Sequence, residues 1–574
     1  MTTRVGWARR DIGIEARGFA MNGYGMAHHK ARGQRTPLFA RALFVAADEG
    51  PPLVLCLLDL AMVNAAIRTG MVAALADEWG DGFDEAALVV ACTHTHSSPG
   101  GCAHEALYNL VTPGFVPDHL EKVVAAGVAA VLAARDDAAP TDLSVGSGTF
   151  APDVPVAWNR SLDAYNANPD VETRDALDTH LALDRTMAVI AARRDDRLAA
   201  LVSFFGVHAT CLGSGLDLHD GDNKGYAAAH AEEALAAPGE PAPVAIFAQG
   251  TAGDVSPHYQ GPGDIERRAA LTGDREVAYA QANGRAQAEH ALTVADAAAD
   301  PLDGPVDAVL TFVDFSRQDA DPRFTGGVEG AETADPCHGI AFFAGTRVDG
   351  VGVTGPIVSL VRWSSRLVRR LRLSRWSRRS AAERDYYRRL YAAQDPKDVL
   401  LEAGRKRVLG RPFGRLPLPA FVDPTLRELR HQDDRGALRE SPLVPTVLPL
   451  QIVRLGPLAL VGAPGEFTTV AGRRIVDTVA EVLAPHGIDH VVLCTYCNDY
   501  MGYVTTAEEY ATQHYEGGHT IFGRWTQAAF QTRFAELAGQ LTRPPGERTH
   551  DTTTRPPEPD RAELALRTRT TPEE

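Results

Sequence analysis

The chain has 574 residues, 45% of them hydrophobic, enough for one large α/β domain or two to three ordinary ones with a sizeable buried core. Its formal net charge of −17 excludes a generally basic, nucleic-acid-binding surface. Seven cysteines make no disulfide scaffold at this length, MTTRVGWARRDIGIEARGF lacks the apolar stretch of a secretory signal, and no run is long enough to span a bilayer, so a cytoplasmic chain, peripheral to a membrane if it meets one, is expected.

Residues 41–47 and 52–58 read as strands joined by the turn DEGP, and 60–77 as a helix. The run 87–92, ALVVAC, is a buried strand that ends at a histidine pair. Residues 118–135 have helical spacing, with Asp118 as the expected N-cap. Further strands are expected at 199–206, 243–248, 449–455, 457–462 and 489–494. Strand–helix alternation of this kind predicts an α/β fold of mixed β-sheets flanked by helices, with a site at the carboxyl ends of strands. Residues 355–415 differ: Arg362, Arg366, Arg369, Arg370, Arg372, Arg375, Arg378 and Arg379 occur without an acid between them. Trp363, Leu367 and Leu371 recur every four residues there. Such a stretch is either a basic amphipathic helix on an anionic membrane surface or a solvated surface helix, in an insertion or lid. Residues 544–574, rich in Pro, Thr and charge, read as a disordered tail.

The strand ALVVAC runs into THTHSSPGG. Residues two apart on an extended chain share a side, so His94 and His96 project together beyond the strand. Imidazole is the commonest metal ligand, and on geometry alone both could bind one, although an isolated H-x-H carries little specificity. His208 follows the strand ALVSFFGV, Glu466 lies in the turn APGEF, and Tyr503 follows the strand HVVLC. Two histidines and a carboxylate make a zinc set with a position left open for water. FAQGTAGDVSP presents Asp254 and Ser256, and LHDGDNKGYA presents Asp222, Asn223 and Lys224. Neither turn is a Walker loop or a dinucleotide fingerprint, and Ser256 lacks the G-x-S-x-G setting of an α/β-hydrolase. Cys494 and Cys497 form a C-x-x-C without a second pair and read as free thiols beside a buried strand.

Six segments, THTHSSPGG, WNRS, GDNKGYA, FAQGTAGDVSP, PGEFTTVAGRR and YVTTAEEYATQHYEGG, occur in this order. Together they resemble the successive motifs of the neutral/alkaline non-lysosomal ceramidases, zinc amidases that split ceramide into sphingosine and fatty acid. The resemblance runs from near residue 4 to near residue 540 and implies a catalytic domain over 1–543, with 355–415 as a basic insertion or lid. It implies one Zn²⁺ per chain on His94, His208, Glu466 and Tyr503. It makes His96 an acid/base group, Arg160 and Tyr515 contacts to the substrate carbonyl or oxyanion, and Ser256 a nucleophile or substrate contact. The chemistry is coherent: zinc brings bound water to a pKa of about 7, a histidine that moves protons adds roughly 10²–10⁴ in rate, and an oxyanion donor is worth on the order of 3 kcal/mol. The family's C-terminal immunoglobulin-like domain is expected to be missing, and the arginine stretch does not resemble the family's middle region. The expected activity is hydrolysis of ceramide or a related N-acyl lipid. The alternatives are a zinc amidase for soluble or short-chain N-acyl compounds and a catalytically silent protein bound to membranes through Arg362–Arg379.

Overall fold

The apolar runs LVLCLL and LVVAC form the strands Leu53–Leu58 and Leu88–Cys92, which pair in parallel and are buried throughout. Strands buried on both faces need near-continuous apolar sequence, as these have. In the computed structural model the described residues are 3–15, 17–26, 28–109, 114–258, 271–346, 348, 350–351, 355–374, 380–413 and 424–572.

Three mixed sheets carry the architecture. The first runs, edge to edge, Leu88–Cys92, Leu53–Leu58, Phe39–Ala46, Arg4–Asp11 and Ala139–Pro140. The second runs Val244–Ala248, Arg197–Phe204, Thr186–Arg194, Asp142–Thr149 and Asp300–Pro301. The third runs Val306–Asp314, Val447–Leu455, Leu458–Gly462 and His490–Cys494. Each sheet ends in a parallel pair, with Leu55 opposite Val89, Val202 opposite Ile246 and Leu460 opposite Val492. The other pairings are antiparallel. A parallel neighbour requires a crossover, and helices supply it: Ala65–Trp79, Asp222–Leu235 and Thr469–Leu483 lie between the paired strands.

Alternation along each strand divides the core. Leu53, Leu55 and Leu57 join Val202, Ile246, Val453 and Leu460 in a cluster shared by the three sheets. Val54, Cys56 and Leu58 face the other way, against Met71 and Val123 of the covering helices Ala65–Trp79 and Pro117–Asp136. The predicted strands and the α/β class are thus present. The cap differs: Val116 is the N-cap and the helix starts at Pro117, placing Asp118 in its first turn, because proline is preorganised for the first helical position.

Two segments read from composition show polar pairing that composition does not reveal. The segment read as a disordered tail lies against the body through its described residues. Its helix Arg561–Arg567 carries Glu563, which accepts from the backbone N–H groups of Glu440 (2.7 Å) and Ser441 (2.8 Å), and Arg567, which donates to the His104 carbonyl (2.8 Å). Buried polar partners hold a segment whose composition offers few apolar contacts. The arginine stretch forms the helix Gly355–Leu373, but its charge is partly spent within the protein. Arg366 pairs with Asp398 (2.9 Å), Arg369 with Asp395 (2.7 Å), and buried Arg372 with Glu402. Arg375, Arg378 and Arg379 lie outside the described residues. No helix among the described residues is long and apolar enough to cross a membrane.

Candidate active site

The carboxyl ends of the parallel strands meet at one buried side chain, Gln249. Its amide donates to the carbonyls of Thr93 (2.9 Å) and Val207 (2.7 Å), and its side-chain oxygen accepts from Val207 N (3.1 Å). The backbone of Gln249 also accepts from Thr495 N (3.2 Å). Four strand exits, one from each of Leu88–Cys92, Arg197–Phe204, Val244–Ala248 and His490–Cys494, are thereby tied together. Just beyond them lie His94, His208, Ser256 and Tyr503, and Glu466 follows the neighbouring strand Leu458–Gly462.

The predicted residues do converge. His94, His208 and Glu466 offer ligand atoms that all lie within 4.8 Å of one another. Glu466 Oε2 is 3.0 Å from His208 Nε2 and 3.6 Å from His94 Nε2. The Tyr503 hydroxyl is 3.2 Å from His208 Nε2. Glu466 and Tyr503 are also backbone neighbours, paired in parallel between the two-residue strands Glu466–Phe467 and Tyr503–Val504.

Backbone carbonyls assign the tautomers. His94 Nδ1 donates to the Ala61 carbonyl, and His208 Nδ1 to the Val255 carbonyl (3.1 Å). Both Nε2 atoms therefore carry lone pairs. Two lone pairs turned toward a buried carboxylate oxygen repel unless a cation or proton lies between them, so this donor set fits a metal ion. Burial, with His208 and Arg160 adding to it against Glu466, lowers His94 to a pKa of about 4 and keeps it neutral. Burial pushes the Glu466 carboxyl up, and the Tyr500 hydroxyl that donates to it opposes burial. Tyr503 is pushed up by burial and by Glu466, with Arg160 opposing.

His96 stands apart from His94 although they are two residues apart. The strand ends at Cys92, and His94 takes a left-handed φ of 65°. The extended geometry read from the sequence fails here, and the two rings meet edge to face at 87°. His96 Nε2 comes within 3.1 Å of His94 Nε2 yet falls outside the group of three ligands. Tyr24 packs on the His96 ring at 4.6 Å, and Gly23 (φ 120°) lies so close that a Cβ there would come within 2.3 Å of it.

Arg160 reaches the same centre. Its guanidinium donates to Glu516 Oε1 (2.9 Å), the Gly253 carbonyl (2.9 Å) and the Tyr503 hydroxyl (3.1 Å). The Tyr515 ring lies 5.6 Å from that guanidinium and 5.4 Å from the Tyr503 ring. Ser256, on a two-residue strand paired with Trp158–Asn159, is fully buried, and its hydroxyl has no hydrogen-bond partner among the described residues. Asp254 holds this corner by accepting from Asn159 Nδ2 (2.7 Å) and Thr469 N (2.8 Å).

Sequence reasoning missed the groups that orient these residues. Tyr496 (3.1 Å) and Tyr500 donate to Glu466, and Glu516 fixes Arg160. Glu516 stands beside Tyr515 in a segment already singled out. The tyrosines sit at seven-residue reach within TYCNDYMGY, spaced four and three apart up to Tyr503. Cys494 and Cys497 are buried free thiols, as expected.

Comparison with known proteins agrees with the six segments. The family model described as neutral/alkaline non-lysosomal ceramidase, N-terminal, matches residues 4–412 and 434–532, and so runs through the arginine stretch. The chain is 32% identical to the neutral ceramidase of Pseudomonas aeruginosa over 551 residues, covering 94% of this chain and 72% of that one. It is 33% identical to the neutral ceramidase of Mycobacterium tuberculosis over 546 residues, covering 93% and 76%. A solved ceramidase complexed with C2 superposes with a TM-score of 0.78 at 31% identity, over 97% of this chain and 77% of that one. The crystal structure of the neutral ceramidase from Pseudomonas aeruginosa gives a TM-score of 0.75 at 29% identity, over 99% and 77%.

Proposed function

The chain belongs to the neutral/alkaline non-lysosomal ceramidase family, and from that membership we propose that it is a zinc amidase that hydrolyses ceramide to sphingosine and a fatty acid. The observation that carries the reading is the convergence of His94, His208 and Glu466, with the Tyr503 hydroxyl beside them. In this proposal one zinc ion is held by these four residues, within a catalytic domain spanning 1–543. When bound, it supplies a Lewis acid for the amide carbonyl and a water acidic enough to attack at neutral pH.

The remaining steps belong to the protein's own side chains. His96, perpendicular to His94 and outside the ligand group, takes the proton of the attacking water and delivers it to the departing sphingosine amine. Arg160, clamped by Glu516, and Tyr515 donate toward the oxygen on which charge develops. The Ser256 hydroxyl, buried without a hydrogen-bond partner among the described residues, is available to a polar group of the substrate.

The test is hydrolysis of long-chain ceramide beside a short-chain, soluble N-acyl amide by the purified protein, before and after chelation. Release of sphingosine from the long-chain substrate, lost on chelation and restored by zinc, is expected. Preference for the soluble amide assigns a small-molecule amidase instead, and a protein that cleaves neither is catalytically silent.

A further inference from the structure

Nine large hydrophobic side chains are exposed among the described residues, and six of them lie on the helix Gly355–Leu373. Such residues scattered singly over a surface need no explanation, but a contiguous set does. With 3.6 residues per turn, Trp363, Leu367, Leu360, Leu371 and Ile357 fall on an arc of about 120°. They are 63%, 39%, 64%, 59% and 48% exposed, respectively. Arg370, Arg366 and Arg362 occupy the adjoining arc. Arg362 and Arg370 are exposed and make no ion pair among the described residues.

The opposite face is fixed to the protein. Ser365 donates to the Val399 carbonyl (2.8 Å), Arg372 is buried against Tyr391 (2.8 Å) and Glu402, and Val358 and Val361 pack on the main core. The apolar ridge is therefore not a helix waiting to turn inward. Asp398 pairs with Arg366 and, through its carbonyl, accepts from Ile340 N (3.0 Å), the start of the short helix Ile340–Phe343. Phe342 of that helix packs, with tilted rings, against Tyr515 (5.3 Å between centroids) and His519 (4.0 Å). The ridge thus connects through one short element to the side chains of the candidate active site.

We propose that the helix Gly355–Leu373 lies in the interface of an anionic lipid bilayer, with Trp363, Leu360, Leu367 and Leu371 inserted among the acyl chains and Arg362 and Arg370 at the head groups. An apolar arc with tryptophan and leucine, bordered by arginine, is what an interfacial helix requires. The chain as a whole carries −17, so attraction to acidic lipid has to come from a local basic edge such as this one. Docked this way, the short helix with Phe342 carries the apolar surface from the bilayer to Tyr515, a route for a substrate that leaves the membrane by its acyl chains. That cargo, ceramide, rests on the ceramidase reading, whereas the docking surface does not.

The full-length protein is sedimented with vesicles of phosphatidylcholine alone and of phosphatidylcholine with phosphatidylserine. The wild type is expected to bind both and to prefer the acidic vesicles. The double variant W363E/L367E should bind at least about tenfold more weakly, since two apolar side chains lose their burial. It should keep the wild-type rate on a soluble short-chain N-acyl substrate, because neither residue touches the candidate active site. R362Q/R370Q should lose the preference for phosphatidylserine. Bromine-labelled lipid should quench the wild type more than W363F. Equal vesicle binding by the wild type and W363E/L367E overturns the proposal. So does a wild-type dimer in solution that W363E/L367E dissociates, since a second copy then covers the ridge. Binding is read without turnover: vesicle binding with no ceramide cleavage supports the docking surface and sinks the ceramidase reading, and cleavage of dissolved ceramide without vesicle binding does the reverse.

Discussion

Arg160 has the most demanding position of any side chain at the site, between a carboxylate that holds it and a phenol that it holds. Glu516 takes its Nε at 2.9 Å and also accepts from the Ser161 hydroxyl (2.8 Å). Removing the charge of Glu516 weakens the clamp on the guanidinium and leaves its aim to the bonds with the Gly253 carbonyl and the Tyr503 hydroxyl. E516Q is expected to lower turnover of ceramide by about 10-fold to 100-fold while leaving zinc content unchanged. Unchanged turnover, or loss of the metal together with turnover, would make Glu516 a structural acid only. The ligand types were legible because each follows an apolar strand in its own motif. The motif resemblance already parted His94 from His96, but the geometry that parts them was not legible, because an H-x-H read as extended chain carries no sign of the left-handed φ at His94. Tyr496 was equally hidden, since its partner Glu466 lies 30 residues earlier.

Among the elements, the junction of the sheets bears the most on function. Gln249 satisfies Thr93 and Val207, while Asn498 ties the first sheet to the third by accepting from Val90 N (3.1 Å) and donating to Gln451 (2.7 Å). Q249A would leave several buried polar groups unpaired and is expected to cost on the order of 3 kcal/mol in denaturant unfolding. It should also weaken zinc retention, because the exits carrying His94 and His208 share that one amide. A variant as stable as the wild type would show that the strand exits are held by their own packing. The strands themselves were readable from apolar runs of the right length. Their grouping into three sheets was not, because the contacts between sheets join residues far apart in the chain, as Asn498 joins Val90 and Gln249 joins Thr93. The tail helix was missed for a related reason: composition signals order through apolar burial, and Glu563 and Arg567 dock through backbone hydrogen bonds instead.

Over the whole molecule, many ionisable groups are buried uncharged, and stability should follow pH accordingly. Burial lowers His29, His104 and His219 each to about 4, with neighbouring charges making smaller contributions. Their folded values lie below the unfolded value, so the unfolded chain binds more protons between the two. The stability they contribute is complete above about pH 6.5 and is lost as pH falls toward 4. Buried carboxylates act with the opposite sign. Burial raises Asp222 to about 7 and Asp254 to about 6, so their contribution falls as pH rises through those values. A single substitution isolates one term: the loss of unfolding free energy between pH 7 and pH 5 should be smaller in H29Q than in the wild type by about 1–2 kcal/mol. Parallel pH profiles for the two proteins would contradict a buried, neutral His29.

The central claim is a metal held by His94 and its partners, with His96 beside it as the proton carrier. Its most direct test is zinc content and ceramide turnover measured together in the wild type, H94A and H96A. About one zinc per chain is expected in the wild type and in H96A, with turnover lost in H96A, and neither zinc nor turnover in H94A. Stoichiometric zinc and undiminished turnover in H94A would contradict the claim, and equal loss of zinc in both variants would return His96 to the metal.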